Sequence, residues 1–153
     1  MYLKTISLIF VIFLLLASCS TYSDSDLEAF DDEIQTYISE EGLKMNSFEN
    51  GMYYNVHNEG DGEEYIKLTD RVTFHYTGSF LNGEEFQKIP KNDPVTFYVR
   101  ELIVGWQDAL SLLKEGGEIT IILPPHLGYG SKKTGLIPAN SILKYELKVL
   151  EVE

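Results

Sequence analysis

The sequence predicts an α+β fold in which an antiparallel β-sheet wraps around one short helix. From Met45 onward, apolar and polar residues alternate in short runs separated by Gly, Asn, Asp and Pro, a pattern typical of half-buried strands. Only one convincing helical segment interrupts these runs, at roughly residues 106–114, and Gly116-Gly117 closes it. A sheet with one helix across one face buries the apolar side of both elements in a common core.

Length and charge limit the function further. The chain has 153 residues, of which 44% are hydrophobic. Since a domain usually has ~100–200 residues, we expect one domain. Lys and Arg total 12 against 24 Asp and Glu, so the net charge is −12. Nucleic acids attract basic surfaces, and no nucleic-acid partner is therefore expected.

The first 18 residues are predicted to be a signal peptide that is removed from the mature protein. Lys4 is the only charged residue in this stretch, and an unbroken apolar run follows from Leu8 to Ala17. This run is much shorter than the ~20 residues that a helix needs to cross a bilayer. The pattern therefore indicates export and not a membrane-spanning helix.

The end of this segment, Leu16-Ala17-Ser18-Cys19, resembles the bacterial lipobox, in which the signal is cut before the cysteine and that cysteine is lipidated. Cys19 is the only cysteine, so no internal disulfide can form. The resemblance implies a lipid-anchored protein facing the periplasm or the cell surface. An inner-membrane retention signal would favour Asp directly after the lipidated cysteine. Residue 20 is Ser instead, so the outer membrane is the expected location. The alternative is an ordinary signal peptide followed by a coincidental cysteine.

Residues 19–44 are predicted to form an acidic tether and then an amphipathic helix over about residues 26–41. Ser25 and Glu28 have the spacing of a capping box, and Gly42 is placed to end the helix. The apolar stripe recurs at helical spacing and could lie either on the domain or on a partner; its members are Leu27, Phe30, Ile34, Tyr37 and Ile38.

Three strands of the domain are marked by strict alternation of apolar residues. They contain Val72, Phe74 and Tyr76; Ile119, Ile121 and Leu123; and Leu143, Tyr145, Leu147 and Val149. Two clusters are predicted to form turns between strands, Gly60-Asp61-Gly62 and Asn82-Gly83.

No pattern of polar residues indicates acid–base, nucleophilic or metal chemistry. The three histidines, His57, His75 and His126, lack the spacing of metal ligands, so neither a metal nor a cofactor is expected. There is no nucleophile elbow and no phosphate-binding Gly loop. The residues that accumulate are aromatic and aliphatic, and by composition alone they indicate a core.

Six successive motifs change that interpretation. In order, they are HYTGSFLNGEEF at 75–86, PVTFYV at 94–99, ELIVGWQDAL at 101–110, LPPHLGYG at 123–130, GLIP at 135–138 and ILKYELKVLEV at 142–152. Together they resemble the motifs of the FKBP-type peptidyl-prolyl isomerases. The resemblance covers about residues 50–153 and implies an FKBP-like sheet of five to six antiparallel strands around a short helix. We therefore assign residues 45–153 to an isomerase domain.

The resemblance also implies a site. It assigns catalysis to Tyr76, Phe86, Trp106 and Tyr129, and substrate binding to Gln87, Val95, Leu102, Ile103, Ile137 and Tyr145. Trp106 would form the floor on which the proline ring stacks. The backbone N–H of Ile103 and the hydroxyl of Tyr129 would each bind a substrate carbonyl, and Gly105 would permit a tight strand-to-helix turn.

The implied activity is rotation of X–Pro peptide bonds in exported proteins, with proline-containing polypeptides as substrates and the membrane contacted through the lipid. Two positions depart from the family pattern. Gln87 replaces the usual Asp, and Val95 replaces the usual Phe, which together favour lower activity or weaker macrolide binding. One alternative is therefore an FKBP-like binding module or chaperone with little or no turnover. Another is a structural lipoprotein that works through its acidic helix.

Overall fold

The computed structural model describes residues 22–153, and the predicted signal peptide and Cys19 lie outside them. The described residues form one antiparallel sheet of seven strands in the order β1-β2-β6-β7-β3-β4, with β5 paired to β3. The strands are β1 (Asn46–Ser47), β2 (Tyr53–Asn58), β3 (Arg71–Phe80), β4 (Glu85–Ile89), β5 (Val95–Tyr98), β6 (Glu118–Leu123) and β7 (Leu143–Val152). Two α-helices accompany them, α1 (Asp24–Glu40) and α2 (Val104–Leu110).

Strand β3 organises the sheet because it pairs with three other strands. It runs antiparallel to β7 from Val72 to Phe80. Its first half also pairs with β5, and its second half with β4. The alternation of side chains along β3 places Phe74 and Tyr76 on one face and His75 on the other. The sheet is therefore apolar on the face that carries Phe74. The opposite face, the polar face, is polar around His75 and apolar where α1 covers it.

Helix α2 lies on the apolar face, where Trp106, Ala109 and Leu110 are buried. A Cβ at Gly105 would come within 2.4 Å of the Leu123 side chain on β6. Gly105 therefore lets the helix approach the sheet closely. This corrects the role expected from the sequence, since Gly105 has no positive φ and its contact is with the core.

The bounds of α2 also differ from the prediction of residues 106–114. The helix begins two residues earlier, at Val104, and ends at Leu110, where the chain tightens into a turn. The amides of Leu112 and Leu113 bond three residues back, to Ala109 and Leu110. Leu113 remains fully buried after the helix has ended, so the apolar run in the sequence extends beyond the helix itself.

Helix α1 packs on the opposite face of the sheet. Ile34 is fully buried there and forms a second apolar cluster with Ile122 and Ile142. The Tyr53 hydroxyl donates to the Asp31 carboxylate at 2.8 Å and ties the helix to β2. The sequence left the partner of this helix open, and the structure places its apolar stripe on the chain's own sheet.

The capping box of α1 lies two residues before the predicted one. Ser23 is the N-cap, and its hydroxyl accepts from the Asp26 amide while the Asp26 carboxylate accepts from the Ser23 amide. Ser25 and Glu28 have the same spacing but lie inside the helix. At the other end Gly42 has a φ of 62°, which agrees with its predicted role as the stop.

The structure confirms the α+β prediction and the antiparallel sheet wrapped around a short helix. The predicted turn at Asn82-Gly83 joins β3 and β4, with Gly83 at a φ of 85°. The sheet has more strands than the five to six that the resemblance implies, because two-residue β1 adds an edge strand. Neither helix of residues 22–153 combines the length and the hydropathy needed to span a bilayer.

Candidate functional site

A cavity of about 290 Å³ opens on the apolar face of the sheet, beside the first turn of α2. Residues of β3, β4, β5, α2 and β7 surround it, together with the segment between β5 and α2 and the loop after β6. They are Phe74, Tyr76, Gln87, Phe97, Glu101, Leu102, Ile103, Trp106, Tyr129 and Tyr145. The lining is aromatic at the base and carries polar groups at the edge.

Trp106 forms part of the base of this cavity and is only 4% exposed. Its ring lies 4.8 Å from that of Tyr76 and 5.1 Å from that of Tyr145, both nearly perpendicular. Phe74 packs against it at 5.2 Å. Edge-to-face contacts of this kind are worth ~0.5–1.5 kcal/mol beyond the buried area. The indole N–H finds no acceptor within residues 22–153, so aromatic packing alone fixes the ring.

Three tyrosines contribute to the cavity and interact electrostatically with one another. Burial, and then the nearby Tyr129, raise the pKa of Tyr76 to about 12. Burial raises the pKa of Tyr145 further, and Tyr129 adds to this through its charge and a hydrogen bond. Tyr76 and Tyr145 therefore keep their protons at physiological pH and remain uncharged donors.

The turn into α2 presents a backbone donor at the cavity. Ile103 is the N-cap of the helix, and its carbonyl accepts from the amides of Trp106 and Gln107. Its own N–H makes no hydrogen bond to another group of residues 22–153. The Gln107 side chain donates to the Leu102 carbonyl at 2.7 Å and holds the preceding peptide in place. The Ile103 amide is thus positioned and available.

Most of the predicted site residues meet at this cavity. Seven of them line it, namely Tyr76, Gln87, Leu102, Ile103, Trp106, Tyr129 and Tyr145. Phe86, Val95 and Ile137 are not among the lining residues. Phe86 stands edge-on to Tyr145 at 5.7 Å, and Val95 packs against the core from β5. Ile137 is 6% exposed and belongs to the core.

The position of Phe86 depends on a glycine. A Cβ at Gly78 would lie 2.7 Å from the Phe86 ring and 2.9 Å from the Tyr145 ring. Gly78 on β3 therefore leaves the space in which these two rings meet. Phe86 supports the wall that Tyr145 forms, and its predicted catalytic role stays a prediction.

Three lining residues were missed from the sequence. Phe74 was read only as a strand residue, although it precedes Tyr76 on the same face of β3. Phe97 lies two residues after Val95 on the same face of β5, and it is 45% exposed. Period-two alternation in PVTFYV was the signal for Phe97. Glu101 brings a carboxylate to the cavity, next to Leu102 and Ile103.

A second, larger cavity of about 480 Å³ lies on the polar face of the sheet. His57 and His75, which are distant in sequence, both line it, together with Lys144, Lys148 and Glu118. The Lys148 ammonium pairs with Glu118 at 3.2 Å. Residues 22–153 hold no cluster of three or more His, Cys, Asp or Glu side chains suited to a metal ion. None of the predicted site residues is on this face.

Comparison with known proteins finds a family that matches residues 62–150, the FKBP-type peptidyl-prolyl cis-trans isomerases. The FKBP-type peptidyl-prolyl cis-trans isomerase FkpA of Buchnera aphidicola subsp. Schizaphis graminum is 41% identical over 104 residues, which are 67% of this chain and 41% of that protein. FkpA of Escherichia coli K12 is 33% identical over 120 residues, or 78% of this chain and 43% of that one. The chain thus spans less than half the length of these relatives.

Solved structures show the same likeness. The crystal structure of FkpA from Escherichia coli matches with a TM-score of 0.73 and 32% identity, covering 84% of this chain and 60% of that chain. A peptidyl-prolyl cis-trans isomerase from Pseudomonas syringae matches with a TM-score of 0.68, covering 86% of this chain and 99% of that chain. At 24% identity, the second match supports the fold alone.

Proposed function

Because the chain belongs to the FKBP-type peptidyl-prolyl cis-trans isomerase family, we propose that it catalyses rotation about X–Pro peptide bonds of other polypeptides. The observation that carries this proposal is the cavity over Trp106, which is aromatic at its base and has hydrogen-bond donors at its edge. Its substrates are polypeptides that present a proline ring in an accessible segment.

Rotation of this bond needs neither an acid, a base nor a nucleophile. Amide resonance imposes a barrier of ~18–20 kcal/mol, and the uncatalysed reaction takes tens to hundreds of seconds. When the amide twists, resonance is lost and the group becomes less polar. A dry aromatic cavity therefore favours the twisted amide over the planar, hydrated one, and this difference in binding lowers the barrier.

The donors orient the peptide while it twists. The proline ring lies against Trp106, between Tyr76 and Tyr145, and the Ile103 amide binds a backbone carbonyl of the substrate. The Tyr129 hydroxyl donates to a second carbonyl. Each tenfold acceleration requires ~1.4 kcal/mol of preference for the twisted state, which a few aromatic contacts and two oriented donors can supply.

A direct test measures cis–trans exchange of short X–Pro peptides by NMR, with and without the full chain in detergent. The proposal predicts faster exchange that is saturable in peptide. It fails if exchange keeps its uncatalysed rate while calorimetry shows that peptide is bound. That result would instead favour the second candidate function, a binding module or chaperone.

One observation favours this second candidate. Large apolar side chains remain exposed at the cavity and next to it in sequence. Phe97, which lines the cavity, is 45% exposed, and Val104, which follows the lining residue Ile103, is 52% exposed. Leu136, in the segment that follows Tyr129, is 77% exposed. Exposed apolar groups close to a cavity are typical of surfaces that hold unfolded polypeptides. The two functions are compatible, and suppression of client aggregation by an inactive variant would separate them.

We further propose that Cys19 carries lipid and anchors the protein to the outer membrane, where it serves exported proteins. Tyr22 is the third residue after Cys19, and an extended chain of three residues reaches at most ~11 Å. Tyr22 lies beside the loop that carries Tyr129, so an anchor at Cys19 would hold the cavity close to the membrane. Cys19→Ser should leave the protein unprocessed or soluble on fractionation, and a processed variant that stays in the membrane pellet would contradict the proposal.

A further inference from the structure

A third cavity, of about 460 Å³, adjoins the site and shares Tyr129 with it. Two of its lining residues come from outside the predicted isomerase domain, Tyr22 and Leu27 of the N-terminal segment. The others are His126, Gly130, Ser131 and Lys132. One wall of this cavity is therefore built by α1 and the residue just before its cap, and the other by the loop after β6.

Tyr22 is held firmly between these two walls. Its ring stands edge-on to Phe30 of α1 at 5.4 Å and to His126 at 6.4 Å. Its hydroxyl donates to the Asn140 side chain at 2.9 Å. The backbone N–H of Asn140 in turn donates to the Gly130 carbonyl at 3.0 Å, and this bond closes the base of the 130–140 loop. The N-terminal segment thereby fixes the loop that follows Tyr129.

Leu27 supplies an apolar surface that the fold does not use. It is 37% exposed and belongs to neither of the two apolar clusters. The neighbouring stripe residues Phe30 and Ile34, in contrast, pack into the cluster beneath α1. Leu27 lines the third cavity with its side chain partly exposed, and it offers an apolar contact there.

We propose that this third cavity is a second subsite of the isomerase, which binds an apolar side chain of the same polypeptide whose proline occupies the cavity over Trp106. The occupant follows from adjacency, because Tyr129 lines both cavities and a polypeptide bound in the first therefore lies next to the second. Its apolar character follows from Leu27 and from the rings of Tyr22 and His126. The inference rests on the proposed function and makes the N-terminal helix a determinant of substrate specificity.

The test uses a set of peptides based on Ala-Ala-Ala-Pro-Ala-Ala, in which one Ala at a time is replaced by Leu. The full chain in detergent is compared with Leu27→Ala, with the size-conserving Leu27→Met, and with Leu68→Ala. Leu68 is 54% exposed and lines neither cavity, so it is a matched control. Dissociation constants come from calorimetry, and kcat and KM from NMR exchange.

The subsite predicts that Leu at one position lowers KM and Kd about three- to tenfold relative to the all-Ala peptide. Leu27→Ala removes this gain and leaves kcat for the all-Ala peptide unchanged. Leu27→Met and Leu68→Ala keep the gain. Since Leu27 is outside both clusters, the variant should retain the wild-type circular dichroism spectrum and melting temperature.

Two results with turnover intact would overturn the subsite. One is that no peptide position prefers Leu over Ala, and the other is that this preference survives in Leu27→Ala. Conversely, a Leu27-dependent preference in binding without turnover would overturn the proposed function and leave the subsite standing. If no peptide binds to the wild-type chain, both are wrong.

Discussion

The two apolar clusters of this molecule lie on opposite faces of one sheet and are built differently. The larger cluster contains α2 and the rings of Phe74, Trp106 and Tyr145, and it leaves a cavity of about 290 Å³ at its edge. The smaller one joins α1 to the sheet through Ile34, Ile122 and Ile142. Its centre is aliphatic, and none of these three residues lines a cavity described above.

The difference follows from the shapes of the side chains. Branched aliphatic residues interdigitate and fill space, as protein interiors generally do. At the edge of the larger cluster, the rings of Phe74, Tyr76, Trp106 and Tyr145 meet at steep angles and line a cavity whose walls suit a ring-shaped group. The aliphatic cluster therefore serves attachment, whereas the aromatic cluster combines stability with a place for ligand.

The largest effects are expected from two neighbouring isoleucines on β6. Ile121 and Ile122 are both fully buried but belong to different clusters. Replacing either by Ala removes buried volume, which typically costs ~2–5 kcal/mol. Ile121→Ala should lower the free energy of unfolding of the whole domain, as measured in urea. Ile122→Ala should instead release α1, seen as faster amide exchange in that helix, with turnover of an all-Ala X–Pro peptide unchanged.

This comparison has a clear contrary outcome. If Ile122→Ala lowers turnover of the all-Ala peptide, then the two faces are not separable. The aliphatic cluster would then support the catalytic cavity as well as attach the helix.

The next effect is expected from the floor of the aromatic cluster. Trp106→Leu keeps part of the apolar volume but loses the flat ring, so the stability cost should be ~1–3 kcal/mol. Peptide affinity and kcat/KM should both fall by more than about tenfold, because the stacking surface for proline is gone. Urea denaturation and NMR exchange measure the two effects. A variant with reduced stability and full turnover would remove Trp106 from the site.

A smaller effect is expected from the donor at the cavity edge. Tyr129→Phe deletes one hydroxyl, including its hydrogen bond with Tyr145, and almost no packing. Stability should fall by no more than ~0.5–1.5 kcal/mol, and kcat/KM should fall a few-fold to about tenfold because a substrate donor is lost. Tyr54→Phe is the control, because Tyr54 packs against the same cluster and lines neither the site nor its neighbour. Equal turnover in both variants would argue against the role of Tyr129.

The smallest effect is a difference in pH dependence between the two faces. Burial, followed by Lys148 and Lys91, lowers the pKa of His75 on the polar face, and Glu118 only partly opposes this. The unfolded chain therefore binds a proton where the native chain does not, and stability falls as the pH drops below the ordinary histidine pKa of ~6.5. Above that range the contribution of His75 to stability is fully present.

On the aromatic face the pKa values of Tyr76 and Tyr145 are raised, whereas the pKa of His75 on the polar face is lowered. Tyr76 and Tyr145 stay protonated well above neutrality, with the pKa of Tyr76 at about 12. Turnover should therefore be flat between about pH 7 and 9. Denaturation curves for wild type and His75→Asn, with rates at each pH, check both statements. If the free energy of unfolding of His75→Asn falls at low pH as steeply as that of the wild type, the role given to His75 is wrong. If turnover falls between pH 7 and 9, the role given to the tyrosines is wrong.

Much of the fold could be predicted because the local signals agree with the final structure. Alternation identified β3, β6 and β7, since each buries one face against α2. The cap of α1 was misplaced because Ser23/Asp26 and Ser25/Glu28 satisfy the same local rule. With the cap at Ser23, Tyr22 lies directly before the helix, where it contacts Phe30 and Asn140. The contact with Asn140 joins residues 118 positions apart, so the local sequence around the cap could not predict it.

The site was predictable in part, through motifs whose order fixes which strands meet. Trp106, Tyr76, Tyr145 and Tyr129 come together as the resemblance implied. The cavity lined by Leu27 could not be foreseen, because it needs α1 and the loop after β6 to meet in space. Phe97 and Glu101 line the cavity and Val95 does not, and the motif order alone could not distinguish these positions.

The central claim is that a proline ring binds over Trp106, and titration of Trp106 fluorescence with an X–Pro peptide tests it most directly. Trp106 is the only tryptophan, so its emission reports on that cavity alone. The account predicts a saturable change in emission whose midpoint matches the Kd from calorimetry, and no such change with a matched peptide in which Ala replaces Pro. Calorimetric binding of the X–Pro peptide without any change in Trp106 emission would contradict it.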